Sequence, residues 1–324
     1  MEQFFDIVYY LVPYMIASAV PLALVALGAL FSERSGVVNI ALEGIMLMGA
    51  FVGALVMKQL EVSTLSTQWI AVVGLGVGAL IGMVFSVLHA FAAINMKANQ
   101  IISATALNMF APAFAIFINR RYSANHTQRV LLQRSYRISE VPILSDIPII
   151  GDLFFKGAYV STLIGIVIFI VATIILYKTK WGLRLRSCGE SPQAADTLGI
   201  NIYKIRYAGV LVSGALAGMG GVIFVLSFAT AFNATVSGFG FLALAVLIFG
   251  NWKPGRIVLA ALFFAFMRII SNSTAVVPFL DNLNWPSEIY SMLPYLATLI
   301  VLAFVSKNSA APRAAGEPYD AGKR

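Results

Sequence analysis

"WGLRLRSCGESPQAADTLGI", residues 181–200, is a polar stretch in an otherwise apolar chain. Ser191, Pro192 and Gly199 have the residue types and spacing that begin and end a helix of about two turns. The surrounding loop, 178–206, contains Lys178, Lys180, Arg184, Arg186, Lys204 and Arg206 against only Glu190 and Asp196. Loops rich in lysine and arginine remain in the cytoplasm. We therefore predict a short cytoplasmic helix, in a loop that fixes the direction of the apolar segments on either side.

The composition places the chain among membrane proteins. Hydrophobic residues make up 60% of the 324 positions and charged residues 11%, far from the averages of soluble domains. The net charge of +8 is explained by basic loops that set the topology, so it does not indicate nucleic-acid binding. We predict an all-α polytopic membrane protein with about 8–10 transmembrane helices.

Nine apolar segments have lengths near that of a membrane-spanning helix, about 17–25 residues. They are 8–31, 40–57, 68–94, 99–119, 158–177, 207–230, 238–250, 256–273 and 290–306. Segments 40–57 and 238–250 are candidates for broken or re-entrant helices. Counting from the basic loop puts the N-terminus outside and the C-terminus inside. Segment 122–157 is then an external loop, and the small, polar residues 307–324 are predicted to form a disordered cytoplasmic tail.

A weak internal repeat indicates how the segments are arranged. SGVVNIAL (35–42) and SGFGFLAL (237–244) share Ser-Gly and Ala-Leu at the same spacing. Four segments precede span 158–177 and four follow it, so the copies run through the membrane in opposite directions. We predict one transmembrane domain, 1–306, in which two inverted four-helix repeats, about 8–119 and 207–306, flank this linker span. Chance similarity of two Ser-Gly helix starts remains the alternative.

Small residues in two segments predict close helix packing. Gly74, Gly78 and Gly82 recur every four residues in the third segment. A similar stripe in the sixth segment consists of Ser213, Ala217 and Gly221, beside Gly214 and Gly218. Such stripes let helix backbones approach closely in a membrane, so we assign them to packing.

Residues for soluble-enzyme chemistry are few. The chain has one cysteine and two histidines, His89 and His126, without metal-ligand spacing, and no pair of carboxylates on one helix face. His89 fits a satisfied polar residue better than a site. No GxxxxGK[ST] phosphate-binding motif is present. We predict a non-catalytic chain with no cofactor of its own.

Polar groups within apolar segments are candidates for the substrate pathway. Glu43 is the only carboxylate inside such a segment, and Asn39 lies one helical turn before it. The carboxylate is either a proton or cation site, or a structural group that accepts hydrogen bonds from the backbone of a broken helix or lies near the cytoplasmic rim. The structural role is favoured because an ion-coupled carrier would need further ionisable groups. Arg268 is expected to extend to the outer membrane surface.

A second set of pathway candidates suits a neutral, polyhydroxyl ligand. Asn99, Ser103 and Asn108 place amides and a hydroxyl along one apolar segment. Phe239 and Phe241 lie at the start of the second repeat copy, where a ring could stack on a sugar or base. Helix packing is the alternative role for all five residues.

The short helix predicted at 192–198 suits contact with another protein. Ala194, Ala195 and Leu198 give it a small apolar face, with Arg186 and Glu190 beside it. Because the helix lies between two long spans, a partner that moves it can also move those spans.

Several motifs together resemble one family. GLRLRSCGESPQAADTLGINIYKIRYAGVLVSGALAGMGG (182–221) is similar to the cytoplasmic coupling segment of permease subunits of bacterial ABC importers, in the superfamily of ribose, branched-chain amino-acid and nucleoside permeases. SERSGVVNIALEGIMLMGAF, ANQIISATALNMF, GFGFLALAVLIFGNWKPG and LPYLATLIVL extend the resemblance over most of the chain. The pair Ser187-Cys188 departs mildly from the family pattern. SERSGVVNIALEG together with FGNWKPG looks most like the nucleoside-type branch.

The resemblance implies an ATP-driven importer in the bacterial inner membrane. The chain would pair with a second, different permease subunit, with ABC ATP-binding subunits that use ATP and Mg²⁺, and with an extracytoplasmic binding lipoprotein. The coupling residues it implies are Arg186, Glu190, Ser191, Pro192, Ala194, Ala195, Leu198 and Gly199. Permeases for ribose-type sugars or branched-chain amino acids are the near alternatives. An ion-coupled secondary transporter is the alternative from another class.

Overall fold

The fold comes from a computed structural model that describes residues 2–122, 128–138, 157–228, 231–272 and 310–320, with isolated positions within 145–151 and 286–299. The helices are α1 (Glu2–Arg34), α2 (Leu42–Leu60), α3 (Thr67–Ala90), α4 (Gln100–Tyr122), α5 (Val160–Lys178), α6 (Lys180–Glu190), α7 (Pro192–Thr197), α8 (Ile202–Phe228), α9 (Phe239–Phe249) and α10 (Pro254–Asn272). A π-helical turn, Phe91–Asn95, continues α3. Two short strands, β1 (Val130–Leu131) and β2 (Ala231–Phe232), form an antiparallel pair.

Seven helices in the described part of the chain are long and apolar enough to cross a membrane. They are α1 to α5, α8 and α10, and α9 is a shorter apolar helix of 11 residues. These helices match eight of the nine predicted segments; the ninth, 290–306, is only partly described. The predicted class, an all-α polytopic membrane protein, is confirmed.

Helices α1 and α8 form the centre of the bundle and are mostly buried. They pack on each other; α8 also packs on α2 and α3, while α1 packs on α9 and α10. The contacts of α8 with α2 and α3 therefore correspond to those of α1 with α9 and α10, if α1 corresponds to α8, α2 to α9 and α3 to α10. This correspondence is expected if the two sets of three helices are copies of the predicted repeat. Helices α4 and α5 are mostly exposed and lie at the periphery, where lipid or another membrane subunit can cover them.

Glycines bring α3 and α8 into backbone contact. A methyl group placed on Gly218 would lie 2.0 Å from the carbonyl oxygen of Gly78. One placed on Gly82 would lie 2.1 Å from the carbonyl oxygen of Gly214. No side chain fits at these distances, so the glycine stripes are packing surfaces, as predicted.

The connections at the two ends of the bundle agree with the predicted direction of the spans. At one end, the Glu61 carboxylate after α2 accepts the N–H of Gln133 at 2.9 Å, and β1 from the same loop pairs with β2. At the opposite end, the Arg34 guanidinium at the end of α1 donates to the Trp252 carbonyl at 3.2 Å. The predicted external loop therefore meets other connections expected outside, and the α1–α2 connection meets one expected inside.

The predicted coupling loop, 178–206, contains more helix than expected. Both α6 and the first turn of α8 lie within this loop, for which only the short helix at 192–198 was predicted. The Thr179 hydroxyl caps α6 by accepting the N–H of Gly182 at 3.1 Å. Leu185 and Cys188 are buried on one side of α6, which therefore packs against the bundle as an amphipathic helix. The many basic residues of this loop made the apolar stripe difficult to recognise in the sequence.

Residues 310–320 correct the prediction of a disordered tail from residue 307. The backbone N–H of Ala314 donates to the carbonyl of Gly189 at 2.9 Å, and that of Gly316 donates to the carbonyl of Gly36 at 3.1 Å. The small residues that predicted disorder instead let this segment lie directly on the backbone of the bundle. Its docking depends on surfaces that are distant in sequence.

Candidate functional site

Two non-helical breaks, one before α2 and one before α9, meet inside the bundle. Each contains the Ser-Gly pair of the proposed repeat, and both glycines have positive φ, 97° at Gly36 and 76° at Gly238. Positive φ is accessible to glycine without a steric penalty. The shared pair therefore supplies the turn that each break requires.

Glu43 joins the two breaks. Its carboxylate accepts the N–H of Gly238 at 2.9 Å and the N–H of Gly240 at 2.7 Å, so it caps the N-terminus of α9. A negative charge is favourable there because the N–H groups of the first turn have no partner within the helix. The Cβ position of Gly240 would lie 2.4 Å from the Cα of Glu43, which leaves no space for a side chain. The carboxylate thus accepts hydrogen bonds from a broken helix, the role favoured from the sequence.

Asn39 fixes the first break from within. It is fully buried; its Nδ2 donates to the Ser213 hydroxyl on α8 at 3.0 Å, and its Oδ1 accepts the N–H of Ala41 at 3.1 Å. A buried amide that is satisfied by protein groups has little capacity left for a ligand. The structure therefore places Asn39 at the break but not on an open path.

Asn108 holds the start of α2 from the side of α4. Its Oδ1 accepts the N–H of Gly44 at 2.8 Å, and its Nδ2 donates to the carbonyl of Ile40 at 2.9 Å. Asn99 caps α4 itself, because its Oδ1 accepts the N–H of Ile101 at 2.9 Å. Both predicted pathway amides are thus engaged with backbone groups.

Ser103 belongs to a chain of polar contacts that includes two residues not predicted as site residues, His89 and Gln100. The His89 ring lies 2.9 Å from the Ser103 hydroxyl through Nδ1 and 2.9 Å from the Val38 carbonyl through Nε2. The Gln100 side chain accepts the N–H of Val38 at 2.8 Å. His89 is therefore a satisfied polar residue, as the sequence indicated. Only the fold shows that it and Gln100 fix the first break.

A cavity of about 280 Å³ lies beside the second break. The residues lining it include Phe224, Phe228, Asn233, Thr235, Phe239 and Arg268. The rings of Phe224 and Phe239 have centroids 4.6 Å apart, and the Arg268 guanidinium lies 4.4 Å from the Phe239 centroid. The cavity therefore combines aromatic faces with amide, hydroxyl and cationic groups, a composition typical of small-molecule sites.

Two further residues singled out from the sequence, Phe241 and Arg268, lie near this cavity. Phe241 is 50% exposed and does not line the cavity, so only Phe239 of the predicted aromatic pair is placed there. Both terminal nitrogens of Arg268 lie 3.3 Å from the carbonyl of Ser237, in the break before α9 that the predicted topology places on the external side. Among the described residues, no cluster of three or more metal-ligating side chains is found.

The start and end of α7 agree with the sequence to within one residue. Pro192 occupies the first turn after an extended Ser191, although the Ser191 side chain makes no capping hydrogen bond. Gly199 has φ of 77°; its N–H donates to the Asp196 carbonyl at 2.8 Å, and the N–H of Ile200 donates to the Ala195 carbonyl at 3.2 Å. This pair of bonds is a Schellman motif, which satisfies carbonyls at the helix end.

The three residues predicted to form one apolar face of α7 lie on two different sides of the helix. Ala194 is exposed and Leu198 is 81% exposed, so both are available to a partner. Ala195 is 2% exposed and packs with Cys188 and Ile202, so it faces the bundle. The direction of Ala195 could not be read from the sequence because it depends on where α6 and α8 lie.

The charged residues predicted beside α7 contact this chain's own groups. The Arg186 guanidinium lies 4.9 Å from the centroid of the Tyr177 ring, which holds it against α5. The exposed Glu190 carboxylate lies 3.3 Å from Nε of Arg313 in the C-terminal segment. The exposed surface left for a partner is centred on Ala194 and Leu198.

Comparison with known proteins identifies the class of this membrane protein. Residues 11–302 match the family described as the permease component of the branched-chain amino acid transport system, so the chain belongs to that family. It is 40% identical over 318 residues to the guanosine ABC transporter permease protein NupQ of Bacillus subtilis, covering 97% of each chain. It is 40% identical over 310 residues to the nucleoside ABC transporter permease protein NupC of Lactococcus lactis, covering 95% of this chain and 96% of NupC.

Two more distant similarities concern the fold and the relatives' assembly. A second Lactococcus protein, nucleoside ABC transporter permease protein NupB, is 24% identical over 309 residues, 88% of this chain and 76% of NupB. A chain in a solved metal-chelate type ABC transporter in an inward-facing conformation has a TM-score of 0.50, with 16% identity over 91% of this chain and 84% of that chain. The fold is therefore that of an ABC permease. The chain is a non-catalytic, multi-pass subunit of the inner membrane that works with separate ABC components.

Proposed function

We propose that the chain is a permease subunit of an ABC importer for nucleosides. The observation that carries this proposal is 40% identity over at least 95% of both chains to two proteins named as guanosine and nucleoside permeases. The nucleoside-type motifs of the sequence, SERSGVVNIALEG and FGNWKPG, support the same substrate class. Ribose-type sugars and branched-chain amino acids are the competing substrates within the family.

The test is uptake by the assembled transporter in membrane vesicles. We expect ATP-dependent uptake of labelled guanosine or uridine, with little uptake of ribose or leucine. Vesicles that lack this chain provide the control. Uptake of leucine or ribose in preference to both nucleosides would falsify the substrate assignment.

The proposed assembly contains a second permease and an extracytoplasmic binding protein. The occurrence of NupB beside NupC in one Lactococcus strain supports a pair of different permease chains. ATP and Mg²⁺ are bound by the ATP-binding subunits, so this chain carries no cofactor. The binding protein delivers the nucleoside to the outer end of the bundle.

The proposed contact with the ATP-binding subunit is α7. Its exposed Ala194 and Leu198 offer a small apolar surface, and its two ends lead directly into α6 and α8. A short, capped helix can enter a cleft of a partner as a rigid unit. Movement of that partner is then passed to α8, the helix at the centre of the bundle.

The proposed pathway uses the cavity beside α9. The rings of Phe224, Phe228 and Phe239 suit a nucleobase, while Asn233 and Thr235 suit the hydroxyl groups of a sugar. Alternating access would come from relative motion of the two proposed repeats, which meet where Glu43 caps α9.

An ion-coupled carrier is less well supported. Both oxygens of the Glu43 carboxylate accept backbone hydrogen bonds, so protonation would weaken the cap of α9. A proton carrier requires a carboxylate that can release and bind protons during each cycle. Uptake by this chain alone, driven by a proton gradient, would contradict the ABC assignment.

A further inference from the structure

The C-terminal segment, residues 310–320, crosses the end of the bundle that carries α7. Its backbone bonds to Gly189 at the end of α6 and to Gly36 in the break before α2. Its first residue, Ala310, donates its N–H to Oδ1 of Asn251 at 2.7 Å. This short segment therefore forms hydrogen bonds with three separate parts of the bundle: the end of α6, the break before α2 and the connection between α9 and α10.

Tyr319 is the main apolar anchor of this segment. It is 7% exposed and packs in one cluster with Cys188, Ala195 and Ile202. Its ring also meets the ring of Tyr203 edge to face, with centroids 5.8 Å apart. Ala195 is one of only two α7 residues that are buried, so Tyr319 contributes to the limited support that α7 receives.

Helix α7 depends on such support because it is only six residues long. A helix of this length is marginal in water, since nucleation is costly and few internal hydrogen bonds compensate. The Schellman motif closes one end, but it does not fix the helix against the bundle. Packing of Ala195 on Cys188 and Tyr319 provides that contact.

The same segment covers a buried arginine at the start of α8. Arg206 is 1% exposed, and its Nη1 donates to the carbonyl of Glu317 at 2.9 Å. Its Nε and Nη2 have no hydrogen-bond partner within the described residues. A buried guanidinium is costly unless it is hydrogen-bonded, so the bond from the C-terminal segment reduces that cost.

The ion pairs of the segment are secondary. Asp320 lies 3.2 Å from Nζ of Lys97, and Arg313 pairs with Glu190, but all four side chains are substantially exposed. Exposed ion pairs contribute little to stability. The buried ring of Tyr319 and the backbone hydrogen bonds are therefore the contacts that hold the segment.

We propose that the C-terminal segment positions α7 for its ATPase partner, with Tyr319 as the positioning residue. The segment holds the inward side of α7 and leaves Ala194 and Leu198 free to contact the partner. This inference rests on the docking role proposed above for α7. The packing of the segment against α6 and α7 can nevertheless be measured without any ATPase.

Cys188 provides the reporter for that measurement. It is the only cysteine in the chain, it is fully buried, and it lies in the cluster with Tyr319. Burial raises the pKa of the Cys188 thiol to about 11, which lowers the thiolate fraction at neutral pH. Cys188 should therefore react slowly with a membrane-impermeant maleimide while Tyr319 is in place.

The first experiment measures maleimide labelling of the full chain in inside-out vesicles. We expect Tyr319→Ala to increase the labelling rate about tenfold by opening the cluster. Tyr319→Phe keeps the ring and should label like wild type. Glu317→Gln is the matched control, because it alters an exposed side chain of the same segment and retains the backbone carbonyl. Wild-type labelling of Tyr319→Ala would overturn the inference.

The second experiment measures substrate imported per ATP hydrolysed by the assembled transporter. We expect Tyr319→Ala to reduce this ratio about threefold, and Tyr319→Phe to restore it. Faster labelling with an unchanged ratio would refute the positioning role. If Tyr319→Ala does not reach the membrane, Ala314→Pro carries the same two tests, because it removes the hydrogen bond to Gly189.

A different experimental result would contradict the docking role of α7. Full transport by Leu198→Asp would contradict docking whatever the labelling rate of Tyr319→Ala. Faster labelling of Tyr319→Ala would then still show that the C-terminal segment packs on α7. The two failures are therefore distinguishable.

Discussion

The junction between α2 and α9 and the short helix α7 use helix ends in opposite ways. At the junction, the first N–H groups of α9, which have no partner within that helix, are capped by Glu43 from α2. Asn39 and Asn108 form hydrogen bonds that hold the break before α2. Helix α7 is capped locally by its own Gly199 and presents Leu198 outward. Inside the membrane the polar groups hold the fold together, whereas outside it a locally capped helix, packed on the bundle through Ala195, presents its other side to a partner.

Removing the Glu43 carboxylate is expected to have the largest effect. Glu43→Ala leaves the N–H groups of Gly238 and Gly240, which are partly buried, without an acceptor, at about 1–3 kcal/mol each. We expect a clear drop in the thermal unfolding temperature of the detergent-solubilised protein, together with loss of uptake. Glu43→Gln keeps one acceptor oxygen and should lie between this variant and wild type. Full stability of Glu43→Ala would show that the junction does not depend on this cap.

A charge placed on the inward or the outward side of α7 tests which of its residues are buried against the bundle and which are exposed. Ala195→Asp buries an unpaired carboxylate and should destabilise the protein by several kcal/mol, about 3–5. Leu198→Asp lies on the exposed side, so it should leave stability unchanged while strongly reducing ATP-dependent uptake. Thermal unfolding and uptake are measured for both variants. Equal stability of the two would contradict the inward direction of Ala195.

Variants of the two phenylalanines at the start of α9 test whether the cavity belongs to the substrate pathway or the rings serve only helix packing. Phe239→Ala should weaken the apparent affinity for a nucleoside about three- to tenfold, because an aromatic face is lost from the cavity. Phe241→Ala is the matched control, since its ring is half-exposed and lies outside the cavity. The measurement is the concentration dependence of uptake. A larger effect from Phe241→Ala would move the pathway away from this cavity.

The smallest effect is expected at the C-terminal cap of α7. Gly199→Ala forces a side chain into positive φ, at a cost of about 1 kcal/mol. Gly255→Ala, in the first turn of α10, has open space and no positive φ, so it controls for the added methyl group. We expect a reduced ratio of uptake to ATP hydrolysis for Gly199→Ala only. No difference between the two variants would mean that this cap is not needed for coupling.

Much of the fold could be predicted because its signals are local. The apolar segments have the length of the membrane, and the ends of α7 follow from Pro192 and Gly199 within a few residues of chain. The role of Glu43 was also accessible, since a lone carboxylate inside a membrane needs hydrogen-bond donors and the second break offered them.

The remaining features depend on contacts between distant parts of the chain. Ala195 and Leu198 are both apolar, and the positions of α6 and α8, which carry Cys188 and Ile202, decide which of them faces inward. His89 and Gln100 contact the first break across the fold, so no local pattern marks them. The composition of the C-terminal segment is typical of disorder, yet Tyr319 packs in a cluster with residues of α6 and α7.

The small ladder between β1 and β2 has a consequence for how the molecule can open. Two paired residues on each strand join the external loop of the first half to the break before α9 in the second half. A ladder this short contributes little stability on its own. The contact between the glycine backbones of α3 and α8, at the core of the same two halves, is far more extensive. We therefore expect the two halves to separate more easily at the ladder than at the glycine contact between α3 and α8.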